Sequence, residues 1–455
     1  MAEPSPPAAP PETGEVPPRP GSDRRRAWLI AALIVTFMLV NYADKAVLGL
    51  AAVPIMDELG IGNSTYGLIS SSFALLFSLS GLIVGFVSAK VSSRVLLFAM
   101  AALWAVAQLP VLFVASVPAL IAGRMLLGAA EGPAASMSMH ALYKWFPEDR
   151  RGLPSALQIS GAALGMLIAA PVLTWLITGF GWRSAFAALA AASLAWSVVW
   201  WRTGHDGPYG EHARGARPPA GTAPAHPVGQ RLPYRRLLLN GTVLGSIAGA
   251  FGASWAMALS HAWLPVYLRT QLDMPPGAAA MLISVVSAFS LALLLSVPPL
   301  LDLLHRRGVS RRWASGFPQG VAVTVAALAM AAFPFADGGT RLALLTLAFG
   351  GHAITFPLHY MTASAVVPPL QRGAVFGIVA ATGTLPALIA PYLTGRLLDS
   401  ASSQSAGYTR SFLLSAAVMA VCGLVALVAI RPEHDARRLA AAAPARPPRG
   451  DQRAA

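Results

Sequence analysis

Charge is what this sequence has least of. Only 11% of its 455 residues are Asp, Glu, Lys or Arg, against about 25% in a soluble domain. With 55% hydrophobic residues and a mean hydropathy of +0.59, the shortage excludes an ordinary water-soluble globule. Cysteine is nearly absent. Cys422 stands alone in an apolar run, which excludes a disulfide framework, a cysteine metal site and a cysteine nucleophile. No nucleotide-binding loop, catalytic triad or metal-ligand spacing appears, so no cofactor or metal is called for and an enzyme is disfavoured. The ten-residue alternation of a membrane β-barrel is missing too.

What is present is a series of apolar segments long enough to cross a bilayer as helices. Charge clusters and Gly/Pro breaks divide them into twelve: 27–56, 64–87, 95–115, 118–143, 152–179, 182–202, 237–268, 276–303, 312–334, 340–366, 372–398 and 408–430. The predicted fold class is therefore an all-α polytopic membrane protein. Its expected parts are a disordered tail (1–22), a six-helix bundle (23–202), a Pro/Gly/Arg-rich linker (203–235), a second bundle (236–431) and a second disordered tail (432–455). The apolar run after Arg24-Arg25-Arg26 is too long for a cleaved secretory signal and reads as the first span.

The net charge of +14 does not point to nucleic acid, because the basic residues are scattered over short loops. With the N-terminus inside, 26 of the 33 Lys and Arg residues fall on the cytoplasmic side and five at outer ends. That asymmetry is the positive-inside pattern, and twelve spans return both termini to the cytoplasm. The Arg-heavy, Ala-rich composition fits a GC-rich bacterial genome and hence a bacterial cytoplasmic membrane.

An internal repeat supports the division into halves, a pattern typical of transporters. Arg151-Gly152 opens the fifth span and Arg372-Gly373 the eleventh, 221 residues later. Both are followed by glycines and an Ala-Pro pair, Ala170-Pro171 and Ala390-Pro391. The loops after spans two and eight also correspond, Ala89 standing 213 residues before Asp302.

These loops resemble the G-x-x-x-D-[RK]-x-G-[RK]-[RK] signature of the major facilitator superfamily. The second copy keeps Asp302 with Arg306, Arg307 and Gly308 downstream, whereas the first carries Ala89 in place of the acid and ends on Arg94. The resemblance implies a gate at the cytoplasmic face built from Arg94, Asp302, Arg306 and Arg307. Four stretches of the first half are similar to the anion:cation symporter family, which includes hexuronate, glucarate, galactonate and phthalate importers. They are NYADK at 41–45, GR-x4-G-x2-EGPA at 123–134, WFPEDRRG at 145–152 and SG-x3-G-x5-P at 160–171. The match extends from Asn41 to Pro391 and departs at Lys45, where the family normally has Arg.

Of the 19 acidic residues only Asp44 and Glu131 fall well inside a span. A charge at bilayer depth costs at least ~2.5–3.5 kcal/mol and is therefore a functional candidate by default. Asp44 and Glu131 are the candidate proton-coupling acids, and the resemblance implies the same assignment. Arg124 lies seven residues before Glu131, on the same helix face, and Lys45 adjoins Asp44. These two cations are the candidate grips for a substrate anion. A plainer alternative is that the four charges only lock span one to span four. Both roles are compatible, since a salt bridge that opens when its acid is protonated is a coupling device.

Tyr42 shares a face with Lys45, and the resemblance implies that its phenol lines the substrate site. Gln158, with Ser160 beside it, is polar enough to face a cavity. His352 and His359, one face of span ten, and His261 in span seven are hydrogen-bonding candidates for a carboxylate or hydroxyl. Each of these residues has an ordinary packing role as its alternative.

The reading is a secondary transporter working by alternating access. It imports a small organic anion, a sugar acid or another carboxylate, with a proton rather than sodium. It is expected to act as a monomer surrounded by lipid. An efflux antiporter for amphipathic compounds and a non-transporting membrane sensor with the same fold are the rivals.

Overall fold

Proline and glycine decide where the apolar runs become separate helices. The computed structural model describes residues 22–87, 91–147, 150–209, 232–368 and 371–441. The expectations for the remaining tails, the middle of the linker, Ala89 and the Glu148-Asp149 pair lie outside the described residues.

The first half opens with α1 (Ser22–Leu50), continued beyond Ala51 by α2 (Ala52–Leu59), then α3 (Asn63–Val87) and α4 (Ser93–Phe113). The fourth span is broken at Gly132-Pro133 into α5 (Val117–Glu131) and α6 (Ala134–Tyr143), since proline cannot continue the hydrogen-bond ladder. Two long helices, α7 (Gly152–Phe180) and α8 (Trp182–Thr203), complete the half. Between them Gly181 has φ +82, which a residue with a side chain rarely adopts.

The second half follows a short helix, α9 (Tyr234–Leu238). Its seventh span is α10 (Gly241–Ala262) with α11 (Leu264–Thr270), parted at Trp263 with Pro265 at the new start. Next come α12 (Pro276–Arg306) and a π-helical turn, Arg312–Gly316, that runs into α13 (Phe317–Ala332). The tenth span is broken like the fourth, into α14 (Gly338–Gly350) and α15 (Thr355–Ser364) around a 3₁₀ turn at Gly351–Ile354. The series ends with α16 (Arg372–Asp399), α17 (Gln404–Ala429) and α18 (Pro432–Ala441).

Among the described residues, ten segments are long and apolar enough to cross a membrane. The second and fourth spans are supplied by α3 and by the broken α5–α6 pair. Twelve spans thus form two pseudo-symmetric six-helix halves, with the first and fourth span of each half interrupted at equivalent places. The halves meet through α3 on α16, α7 on α12 and α1 on α10. In repeat numbering these are spans 2 and 11, 5 and 8, and 1 and 7, so the contacts follow the same pseudo-twofold.

One sequence expectation needs correction. The tail from 432 begins as a helix. In α18, Asp435 accepts from the Thr242 amide at 2.8 Å and hydroxyl at 2.6 Å, while Glu433 accepts from the Arg311 amide at 2.5 Å. Carboxylates at helix N-termini are favourable sites, and they hold down a segment whose polarity reads as disordered. The linker is likewise ordered at both margins. Lys144 pairs with Asp206 at 3.0 Å, and Gln371 exchanges hydrogen bonds of 2.8 and 2.7 Å with the Leu232 backbone.

Candidate functional site

Helix α1 brings Asn41, Tyr42, Asp44 and Lys45 to the inner surface of the first half, facing α5. Lys45 Nζ lies 2.9 Å from Glu131 Oε2 and donates to Asn41 Oδ1 at 2.5 Å. Its ammonium sits 4.3 Å above the Tyr42 ring. Glu131 closes the last turn of α5 before the Gly132-Pro133 break and is 1% exposed. The partners are thus crossed between helices: Lys45 reaches Glu131, and Arg124 reaches α1.

Arg124 Nη1 donates to the Asp44 backbone carbonyl at 3.2 Å, and its guanidinium lies 4.8 Å from the Phe73 ring centroid. The Asp44 carboxylate is fully buried and accepts from Gln108 Nε2 of α4 at 2.8 Å. Its other oxygen, Oδ2, is buried without a hydrogen-bond partner. A buried carboxylate oxygen left unpaired is costly, and protonation of the group removes much of that cost. Two acids and two bases therefore sit within one cluster, sealed from solvent except along one edge.

That edge is a cavity of about 130 Å³ between the halves. On the first-half side Tyr42, Lys45, Ser70, Phe73, Phe77 and Arg124 line it; on the other side Ser254, Met257, His261, Thr384, Ala387 and Pro391 do. Asp44 and Glu131 are buried behind the wall, in contact with Arg124 and Lys45 respectively. Toward the end remote from the chain termini the cavity is plugged. Tyr66 and Trp263 are fully buried in edge contact at 5.2 Å, the Tyr66 hydroxyl donating to the Ala262 carbonyl at 2.9 Å. Farther out, Asp399 at the end of α16 accepts from the Asn63 side chain at 2.9 Å and the Ser64 amide at 2.8 Å.

The structure brings Tyr42, Lys45 and Arg124 together at the cavity, with Asp44 and Glu131 behind them. It leaves Gln158, His352 and His359 outside the lining. Gln158 donates to Ser138 Oγ at 2.9 Å in the packing of α7 on α6, and the His359 ring engages the Thr355 carbonyl at 3.0 Å. His352 is buried against Phe356. His261 occupies the second-half wall instead. The residues expected to gate lie apart and within their own halves. Arg94 donates to the Trp201 carbonyl and stacks on that indole at 4.7 Å. Asp302 pairs with Arg306 one turn on at 2.9 Å, and Arg307 closes α12.

Gln108, Phe73 and Phe77 were not singled out by sequence, and Asn41 entered only as the first residue of the NYADK stretch. Gln108 did carry a signal, a lone amide deep in the apolar third span. The phenylalanines carry none in isolation, since Phe is ordinary in a lipid-facing helix. Among the described residues no group of three His, Cys, Asp or Glu could hold a metal ion.

The Major Facilitator Superfamily matches residues 33–391. The chain is 23% identical over 400 residues to the hexuronate transporter of Bacillus subtilis, covering 87% of this chain and 92% of that one. It is 24% identical over 422 residues to the D-galactonate transporter of Escherichia coli, covering 90% and 97%. To the probable sulfoacetate transporter SauU of Cupriavidus necator it is 26% identical over 421 residues, covering 88% and 93%. Among solved structures, a bacterial homolog of the human lysosomal transporter Spinster, inward-facing and unoccupied, superposes with a TM-score of 0.72 at 17% identity, covering 90% and 98%. A D-xylose–proton symporter gives the same TM-score at 15% identity, covering 90% and 99%.

Proposed function

Given that this chain belongs to the major facilitator superfamily, we propose that it imports a small organic anion together with a proton. The observation that carries this reading is the Lys45–Glu131 ion pair, 2.9 Å long, on the wall of an inter-half cavity. An arriving carboxylate must compete with Glu131 for the Lys45 ammonium. A proton on Glu131 removes its charge and frees Lys45, so anion and proton bind together. When both leave, Lys45 returns to Glu131 and the empty carrier is neutral inside again. Asp44 plays the matching part beside Arg124. Its unpartnered Oδ2 offers a second seat for a proton, and its main chain positions the guanidinium at the cavity edge.

The anionic cargo is supported by the two cations at the cavity and by relatives named for hexuronate, D-galactonate and sulfoacetate. The positive-inside distribution supports termini in the cytoplasm, so the plugged end faces outward. On this reading the cargo leaves the cavity on the cytoplasmic side, away from the plug.

Reconstituted vesicles test the coupling. Glu131→Gln is expected to lose accumulation driven by a proton gradient while retaining solute exchange at equal concentrations. Asp44→Asn should impair the same step. Normal proton-driven accumulation in both variants would remove proton coupling through this cluster.

A further inference from the structure

The two walls of the cavity differ in chemistry. Lys45 and Arg124 sit on one, each against an aromatic ring. The opposite wall is mostly Met257, Ala258, Ala387 and Pro391, with His261 and Ser254 of α10 set among them. Thr384 also faces in, but its hydroxyl already bonds Ser78 and the Ala381 carbonyl. A neutral imidazole that donates from one nitrogen presents an acceptor on the other. His261 thus brings an acceptor nitrogen to a wall whose other polar groups are the Ser254 hydroxyl and the engaged Thr384, across from two cations.

We propose that His261 is a specificity-determining residue that selects a carboxylate with an apolar body and a hydroxyl at its far end. This rests on the reading of the cavity as an organic-anion site. The carboxylate takes Lys45 and Arg124, the body fills the apolar middle, and the hydroxyl donates to His261. A volume of about 130 Å³ is close to that of an engineered cavity of roughly 150 Å³ that holds benzene, so a single ring is the simplest body. A six-carbon sugar acid carries more hydroxyls than His261, Ser70 and Ser254 can partner, and would press the rest against Leu48, Met257, Ala258 and Ala387. Hydroxyls buried without partners are strongly selected against.

Binding to the purified full-length carrier tests this, with benzoate, 3- and 4-hydroxybenzoate, galactonate and glucuronate as probes at acidic and neutral pH. One hydroxybenzoate isomer is expected to bind about five- to tenfold more tightly than benzoate, the worth of one neutral hydrogen bond. That ratio should fall to about one in His261→Leu, with benzoate binding retained as evidence of folding. It should persist in His261→Asn, whose amide oxygen is an acceptor. The proposal is overturned if the hydroxyl confers no advantage on the native protein, or if the advantage survives His261→Leu. Binding of the sugar acids with neither class of benzoate would overturn it while leaving the anion site standing. Binding of no anion at all would overturn both.

Discussion

Lys45 holds the Glu131 carboxylate, the Asn41 amide oxygen and the Tyr42 ring at once, with 14% of its side chain exposed. Removing one partner of a buried ion pair leaves the other charge uncompensated, which typically costs 3–5 kcal/mol. Lys45→Gln is therefore expected to destabilise the carrier by about 3 kcal/mol, the lower end because the ammonium keeps some water. The double variant Lys45→Met with Glu131→Leu should recover most of that loss in unfolding measurements while remaining inactive in uptake. Equal destabilisation of single and double variants would mean that the pair is not what holds α1 to α5. The four charged residues were legible because charge in an apolar run is too costly to be incidental. Their pairing was not, because two cations and two acids on facing helices permit either match, and helix rotation decides. Rotation also decided the fate of Gln158, His352 and His359. Spacing puts His352 and His359 on one face of an unbroken helix, but the 3₁₀ turn at Gly351–Ile354 interrupts it, and only packing shows that Gln158 meets α6 instead of the cavity.

At the scale of elements, small residues and breaks set how helices meet. A Cβ on Gly128 would lie 2.0 Å from the Phe73 carbonyl oxygen, and one on Gly132 equally close to that of Phe77. These backbone contacts bring α5 against α3 and put the Phe73 ring beneath Arg124. Gly128→Ala must push the helices apart, an overpacking cost of about 1–3 kcal/mol. Gly179, near the end of α7, has nothing within 4 Å of its would-be Cβ. Gly179→Ala should be stabilising by about 0.4–1 kcal/mol through the unfolded chain. Comparable unfolding midpoints for the two variants would contradict this account. Five glycines of the first half, Gly123, Gly128, Gly132, Gly161 and Gly165, make close contacts of this kind. Each packs within the first half, so the close approach they permit builds a rigid bundle. Another element contact bears on pH. Arg183 and Trp182 of α8 hydrogen-bond Glu58 of α2 and hold its carboxyl at about 2, below the ordinary 4.5. A depressed acid stabilises the fold above its unfolded value and loses that effect only as pH falls through its folded value. Between pH 5 and 8 Glu58 stays ionised, so Glu58→Gln should leave the shape of the pH–uptake curve unchanged. A displaced curve would assign proton coupling to the wrong carboxylate.

Across the whole molecule, the hydrogen bonds joining the halves among the described residues lie from the midplane to the end remote from the termini. Ser78 meets Thr384 and Ser284 meets the Leu167 carbonyl near the middle; Ser71 meets the Tyr392 amide nearer the end. At the extremity Asp399 of one half caps the first turn of α3 in the other. It accepts from the backbone amides of Asn63 and Ser64 and from both side chains. The packing beneath is backbone to backbone, for a Cβ on Gly395 would lie 2.3 Å from the Asn63 carbonyl oxygen. For the carrier to face the other way, every one of these contacts must part. The Asp399 cap is therefore a term in the equilibrium between the two access states, favouring the one seen. Hydrogen bonds to a charged group contribute about 1.5–3 kcal/mol each, and about 1.4 kcal/mol is tenfold in a population ratio. Asp399→Ala is expected to raise the fraction open at this end about tenfold or more. Spin labels on the exposed Asp57 and Ser402 positions, in a carrier with Cys422 replaced, would report it as a second, longer distance. A distance distribution identical to that of the unmutated carrier would show that the plug of Tyr66 and Trp263, and not the cap, sets which way the cavity opens.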